Sequence, residues 1–129
     1  MAQYAGEIRM TAFNYAPEGW LMCDGREAHI YIHNSLYEII GTRFGGNGQP
    51  FFNVPDMRGR APIHRGKGDG LKTDHAVTTY AGSQFTTLQD VQKLPVESAT
   101  DVNPPATGYT NIQPVFAINF MISYLNIPY

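Results

Sequence analysis

Residues 6–25 bring together a strand-like alternation, a Pro17-Glu18-Gly19 turn, the only tryptophan, the only cysteine and an Asp24-Gly25 turn. A chain punctuated this closely folds into short extended segments joined by tight turns, because Pro presets the turn dihedral and Gly admits positive φ. Residues 7–13 alternate Ile8, Met10 and Ala12 with Glu7, Arg9 and Thr11. That period of two predicts a half-buried strand. Trp20, Leu21, Met22 and Cys23 predict a second, short and buried. With 13 Gly and 9 Pro in 129 residues, the rest of the chain has little room for a long helix.

Downstream, His29-Ile30-Tyr31-Ile32-His33 alternates again and predicts a strand. Ser35 and Glu38 have capping-box spacing, with Ser35 as N-cap. Leu36, Ile39 and Ile40 follow, and Gly41 stands where a helix C-terminal cap belongs, so one short helix is expected. A helix this short is stable only if packed on the sheet. Residues 45–48 form a tight Gly-rich loop, and Ala61-Pro62-Ile63 predicts one more edge strand. Two polar stretches, about residues 65–87 and 96–112, read as exposed loops, with a short strand or helical turn over residues 85–94 between them. In residues 115–124, Phe116, Ile118, Phe120, Ile122 and Tyr124 alternate with Val115, Ala117, Asn119, Met121 and Ser123. A bulky face and a smaller one predict a central strand paired with residues 7–13, which brings the termini together. The expected fold class is a single α+β domain over residues 1–129. It has a mostly antiparallel sheet of short strands, one short helix and long polar loops.

Charge excludes some function classes. A formal net charge of −2 gives no basic footprint for nucleic acid. No apolar run approaches the roughly 18 residues of a membrane span, and no secretory signal opens the chain. Synthesis in the cytoplasm is expected, without membrane insertion. A single cysteine rules out an intrachain disulfide, and Cys23 in an apolar strand reads as a small buried thiol.

The opening stretch, Gly6-Glu7-Ile8-Arg9 through Asn14, Ala16-Pro17, Gly19-Trp20, Cys23 and Gly25, resembles the phage tail-collar domain, including the small microcystin-dependent proteins. Residues 36–48 and 52–63, with Phe52-Asn53-Val54-Pro55-Asp56-Met57-Arg58-Gly59-Arg60, are similar to the core of that family, and residues 111–122 to its ending. The resemblance implies a non-enzymatic structural and adhesive module at the distal end of a phage tail or related particle. Such modules self-associate, with a trimer favoured, beside other tail-particle proteins. Starting at Met1 without a shaft, the chain is expected to be of the free-standing, microcystin-dependent type. Relatives carry paired histidines after a Leu-Pro, where this chain has Leu94-Pro95-Val96-Glu97. No axial metal, and no cofactor, is therefore expected.

Catalytic arrangements find no support in the residues. Asp56, Arg58 and Arg60 read as a turn clasp, with the carboxylate taking turn amides and arginine forks. Gly66-Lys67-Gly68-Asp69-Gly70 lacks the first Gly and the hydroxyl of a phosphate loop. As strand residues, His29 and His33 would face one side about 13 Å apart, too far to share a metal. His64, Asp69, Asp74 and His75 have irregular spacing for a cation. Recognition remains. Tyr80, Phe85, Asp101, Asn103, Tyr109 and Asn111 supply the aromatic faces and polar groups that a surface glycan needs. Ala117, Asn119 and Ser123 would let another subunit approach the last strand closely. The competing readings are a monomeric lectin-like carbohydrate-binding domain and, least favoured, a small metal-dependent hydrolase using His64 or His75.

Overall fold

The computed structural model describes residues 2–78, 80, 85–86, 109–110 and 114–127, with backbone alone at 85–86 and 109–110. The chain divides into two compact units, residues Met1–Thr79 with Ala117–Tyr129, and Tyr80–Phe116.

The first unit is built on a three-stranded antiparallel sheet of β1 (Ile8–Thr11), β2 (Trp20–Met22) and β9 (Asn119–Ser123). The last strand is central, in the order β1-β9-β2, as its bulky and small faces predict. Ile8 lies opposite Ile122 and Thr11 opposite Asn119, while Leu21 lies opposite Ile122 from the other side. The termini meet in a Gln3–Ile127 bridge. β1 is entered through a bulge that only glycine fits well: Gly6 has φ +86° and donates to the Ser123 carbonyl at 2.9 Å, while Ser123 N–H donates to the Glu7 carbonyl.

After β2 come β3 (Glu27–His29), helix α1 (Asn34–Ile40) and β4 (Phe51–Asn53), with β4 returning antiparallel to β3. Cys23, Ala28, Leu36, Ile40, Phe52, Val54 and Ile122 form one buried cluster. Each element alone is too short to be stable, so it is this shared burial that holds them. The Gly41–Pro50 loop folds closely over β4. A Cβ on Gly46, whose φ is +100°, would sit 2.6 Å from the Phe52 Cα.

Three sequence expectations are corrected here. Residues 29–33 are not a strand. The strand ends at His29, and His33 N–H turns back to the His29 carbonyl at 3.0 Å, opening a helical turn. For the same reason Ser35 is not the N-cap. His33 takes that place and accepts from both Leu36 and Tyr37 N–H, while the Glu38 carboxylate accepts from Asn34 Nδ2 at 2.8 Å instead of closing a capping box. Gly41 does end the helix, with φ +55° and its N–H on the Tyr37 carbonyl. Finally, residues 61–63 form no strand, and Ile63 is exposed. Beyond them β5 (Gly66–Lys67) and β6 (Asp74–His75) pair into a minimal hairpin.

The second unit contains β7 (Phe85–Thr86) paired antiparallel with β8 (Tyr109–Thr110). Tyr80, Val115 and Phe116 are exposed.

Candidate functional site

The densest polar construction of the first unit lies where β2 and β4 run out. Asp24 and Asp56 form an antiparallel bridge, with Met57 N–H on the Cys23 carbonyl at 2.9 Å and Gly25 N–H on the Pro55 carbonyl at 3.3 Å. The two chains approach closely because residue 25 is glycine: a Cβ there would lie 3.1 Å from the Asp56 Cβ.

Each aspartate begins the same device. Asp24 accepts from the Arg26 N–H and from its guanidinium, Nε at 2.8 Å and a terminal nitrogen at 2.6 Å. Asp56 accepts from Arg58 N–H at 3.2 Å, and from Nε and a terminal nitrogen at 2.9 Å each. Arg60 adds donors to the Asp56 and Arg58 carbonyls. The reading of Asp56 as a turn clasp therefore holds. Its twin at Asp24 was signalled by the repeated Asp-x-Arg spacing.

These pairings settle the chemistry of the carboxylates. The Arg58 hydrogen bonds push Asp56 down to about 2, and those from Arg26 lower Asp24. Burial first, and the Asp24 charge second, push the neighbouring Cys23 thiol up to about 12. Neither aspartate can carry a proton near neutral pH, and Cys23 is no thiolate nucleophile. The adjoining depression, lined by residues that include Met22, Met57, Ile118 and Phe120, holds about 200 Å³. That is below the roughly 300–1,000 Å³ of ordinary small-molecule sites.

Two of the four histidines pack against aromatic rings. The His29 ring meets Phe51 edge-on, centroids 5.1 Å apart, and His33 meets Tyr124 at 4.6 Å. His33 Nδ1 is hydrogen-bonded with the His29 carbonyl at 3.1 Å. The two residues thus share one helical turn, and the separation expected for a strand does not apply. His64 Nδ1 contacts the adjacent Arg65 carbonyl, and Asp74 and His75 are consecutive on β6. Among the described residues no three His, Cys, Asp or Glu side chains gather as a metal site. The Gly66–Gly70 stretch makes β5 and a turn closed by Leu71 N–H on the Gly68 carbonyl, and leads into no helix.

The recognition residues lie apart. Tyr80 is exposed in the second unit; on β7 and β8 Phe85 lies opposite Thr110 and Tyr109 opposite Thr86, which places the two aromatic positions on alternate faces of that pair. Asp101, Asn103 and Asn111 lie outside the described residues. The last strand begins at Asn119 and not at 115, so Ala117 precedes it and is exposed, while Asn119 Nδ2 donates to the Phe13 carbonyl at 2.8 Å, which holds the exposed Phe13–Tyr15 ring pair. Ser123 is fully buried: its hydroxyl accepts from Gln3 Nε2 at 2.8 Å and donates to the Leu125 carbonyl. Phe13 and Tyr15 were not singled out from the sequence, since nothing in their spacing distinguishes an exposed ring pair from core.

Residues 6–62 match the model of the Phage Tail Collar Domain. The resemblance read from the motifs of this segment holds there. The Asp24–Asp56 bridge and its arginines fall wholly inside the match. Comparison with curated proteins gives no significant match. Among the described residues no helix is long and apolar enough to cross a membrane.

Proposed function

We propose that this chain, carrying a tail-collar segment, is a self-associating structural module of a phage tail or tail-like particle that presents exposed aromatic loops to a surface glycan. The observation that carries this reading is the imbalance of its apolar residues. In the described residues nine hydrophobic side chains are buried, while 17 large ones are exposed. A chain of this kind gains by burying them against copies of itself.

Assembly fits a trimer, as the family resemblance implies, with Ala117 and Asn119 offering a low-profile surface and Phe13 and Tyr15 its aromatic part. Ser123, buried within the chain, would support that surface from beneath. Glycan contact is assigned to Tyr80, Phe85 and Tyr109, with Asp101, Asn103 and Asn111 as the polar partners. Aromatic rings take the apolar faces of pyranoses and the polar groups their hydroxyls. The Asp24–Arg26 and Asp56–Arg58 clasps are structural in this reading.

Light scattering after size exclusion tests the assembly, and a saccharide array tests the ligand. A mass that is a multiple of three chains, reduced by Asn119→Arg in a folded variant, is the expected result. A strict monomer whose saccharide binding is lost in Tyr109→Ala would replace this reading with the lectin-like one. Turnover abolished by His64→Ala or His75→Ala would overturn both.

A further inference from the structure

We propose that the outer edge of β1 is an interaction surface for a second copy of this chain, joined by antiparallel β1–β1 pairing across a two-fold axis. The register between β1 and β9 shows which backbone groups are free. Ser123 N–H bonds the Glu7 carbonyl, so that carbonyl and the amides and carbonyls of Arg9 and Thr11 point inward to β9, while the Glu7 N–H is on the Tyr4 carbonyl. Ile8 and Met10 then direct theirs outward, and no described residue bonds to them. Their side chains are 44% and 66% exposed. Neither proline nor lysine guards this edge. An unguarded edge with apolar flanks is a template for another strand.

Charge selects the partner and the register. Glu7 and Arg9 sit two apart on one face and pair with each other at 2.8 Å, both partly exposed. When Ile8 faces the partner's Ile8, Glu7 lies across from the partner's Arg9, and Arg9 across from the partner's Glu7. Four charges then alternate in sign on one face. The two Ile8 residues exchange both outward hydrogen bonds, and their side chains meet on the other face. Met10 comes opposite the partner's Gly6, where a missing side chain leaves room. Sliding by two residues would instead set Arg9 against the partner's Arg9, a like-charge pair that disfavours that register. The strand is its own complement, which a partner of unrelated sequence would not be.

A two-fold contact cannot lie within a cyclic trimer. It joins two such trimers, or two single chains if the trimer proposed above does not form. The test therefore separates the two proposals. Light scattering of the full chain is expected to give an even number of chains, and Ile8→Pro to halve that number. Proline at this position removes only an outward N–H and blocks the edge, leaving the β9 ladder whole. Trp20 fluorescence and near-ultraviolet circular dichroism check that the variant is folded. If Ile8→Pro disturbs the fold, the charges provide the second test: Arg9→Glu should also halve the mass, and adding Glu7→Arg should restore it. An odd number of chains in the parent, an unchanged mass in folded Ile8→Pro, or no restoration by the double charge exchange overturns the proposal. Loss of the trimer with the halving intact would overturn only the earlier one.

Discussion

Residues 20–57 and residues 58–77 adjoin in sequence and contain comparable local punctuation, yet only the first stretch makes a core. The former places Trp20, Cys23, Ala28, Leu36, Ile40, Phe52 and Val54 in buried positions. In the latter every residue is exposed except the half-buried Gly66 and His75, although Ile63, Leu71 and Val77 are large and apolar. The difference is one of closure. The first stretch turns back on itself twice, through β3–β4 and the Asp24–Asp56 bridge, so side chains distant in sequence meet. The second turns once, in a hairpin with two residues per strand, and among the described residues meets no second layer to bury against. A regular backbone is thus not what makes a region stable; meeting a second apolar face is.

The sharpest way to break this contrast is at Phe52, which is wholly buried and packs on Tyr37 with centroids 5.4 Å apart. Phe52→Ala should cost about 3–5 kcal/mol in urea denaturation, a large share of a domain's typical stability of about 5–15 kcal/mol. A loss near zero would mean the core is held elsewhere.

A glycine pair sharpens the comparison next. Gly46 and Gly70 both have positive φ, but a Cβ at Gly46 would strike the β4 backbone whereas one at Gly70 would meet nothing within 4 Å. Gly46→Ala should destabilise by well over about 1 kcal/mol. Gly70→Ala should leave the global unfolding transition almost unmoved, because its strain is confined to the hairpin. Equal shifts in the denaturation midpoint would contradict this.

The junction between the two regions gives a pH prediction. Arg58 holds Asp56 at about 2 against an ordinary 3.8. A carboxylate depressed on folding contributes its stability fully above the unfolded value and loses it as pH falls through the folded one. The clasp should therefore persist at neutral and mildly acidic pH and fail between 3.8 and about 2. Carbon-detected titration of the Asp56 carboxyl should show this, and Arg58→Gln should move its midpoint back up. An unmoved midpoint would take Arg58 out of the account.

The smallest effect is expected in the hairpin itself. Leu71→Ser removes an exposed side chain and should change stability of the isolated chain by no more than about 0.5 kcal/mol. A larger loss, measured under monomeric conditions, would show burial that the exposed position of Leu71 does not contain.

Much of the frame was legible because strand periodicity and turn chemistry are local. The alternation of Ile8 and Met10, and of Phe120 and Ile122, located the outer and central strands and their pairing. Gly41 marked the helix end, and Asp56 announced its clasp through the arginines that follow. The helix start was misread at Ser35 because a capping box competes with any earlier carbonyl able to begin the helix, and the His33 carbonyl does so. His29 and His33 followed from the same error. Ile30 and Ile32 mimic strand alternation over too few residues for period alone to decide. Phe52 as the core's centre had no signature, since Phe51 beside it is the same residue type and differs only in which side of β4 it occupies. The clasp was readable at Asp56, whereas its junction with Asp24 depends on a bridge between residues 32 positions apart in sequence.

By itself the amino-acid sequence determined where this chain extends, where it turns and which faces of its strands are apolar, because those choices depend on residues two to four positions apart. Tertiary structure alone decided which apolar side chains are core. Phe116 and Ile122 share one alternating face, yet Phe116 is exposed and Ile122 is buried. Pairing explains the difference: β1 ends opposite Asn119, so Ile122 lies between two strands and beneath α1 and β4's cluster, while position 116 precedes the paired segment. Burial belongs to the meeting of two surfaces, and one strand's sequence specifies only its own.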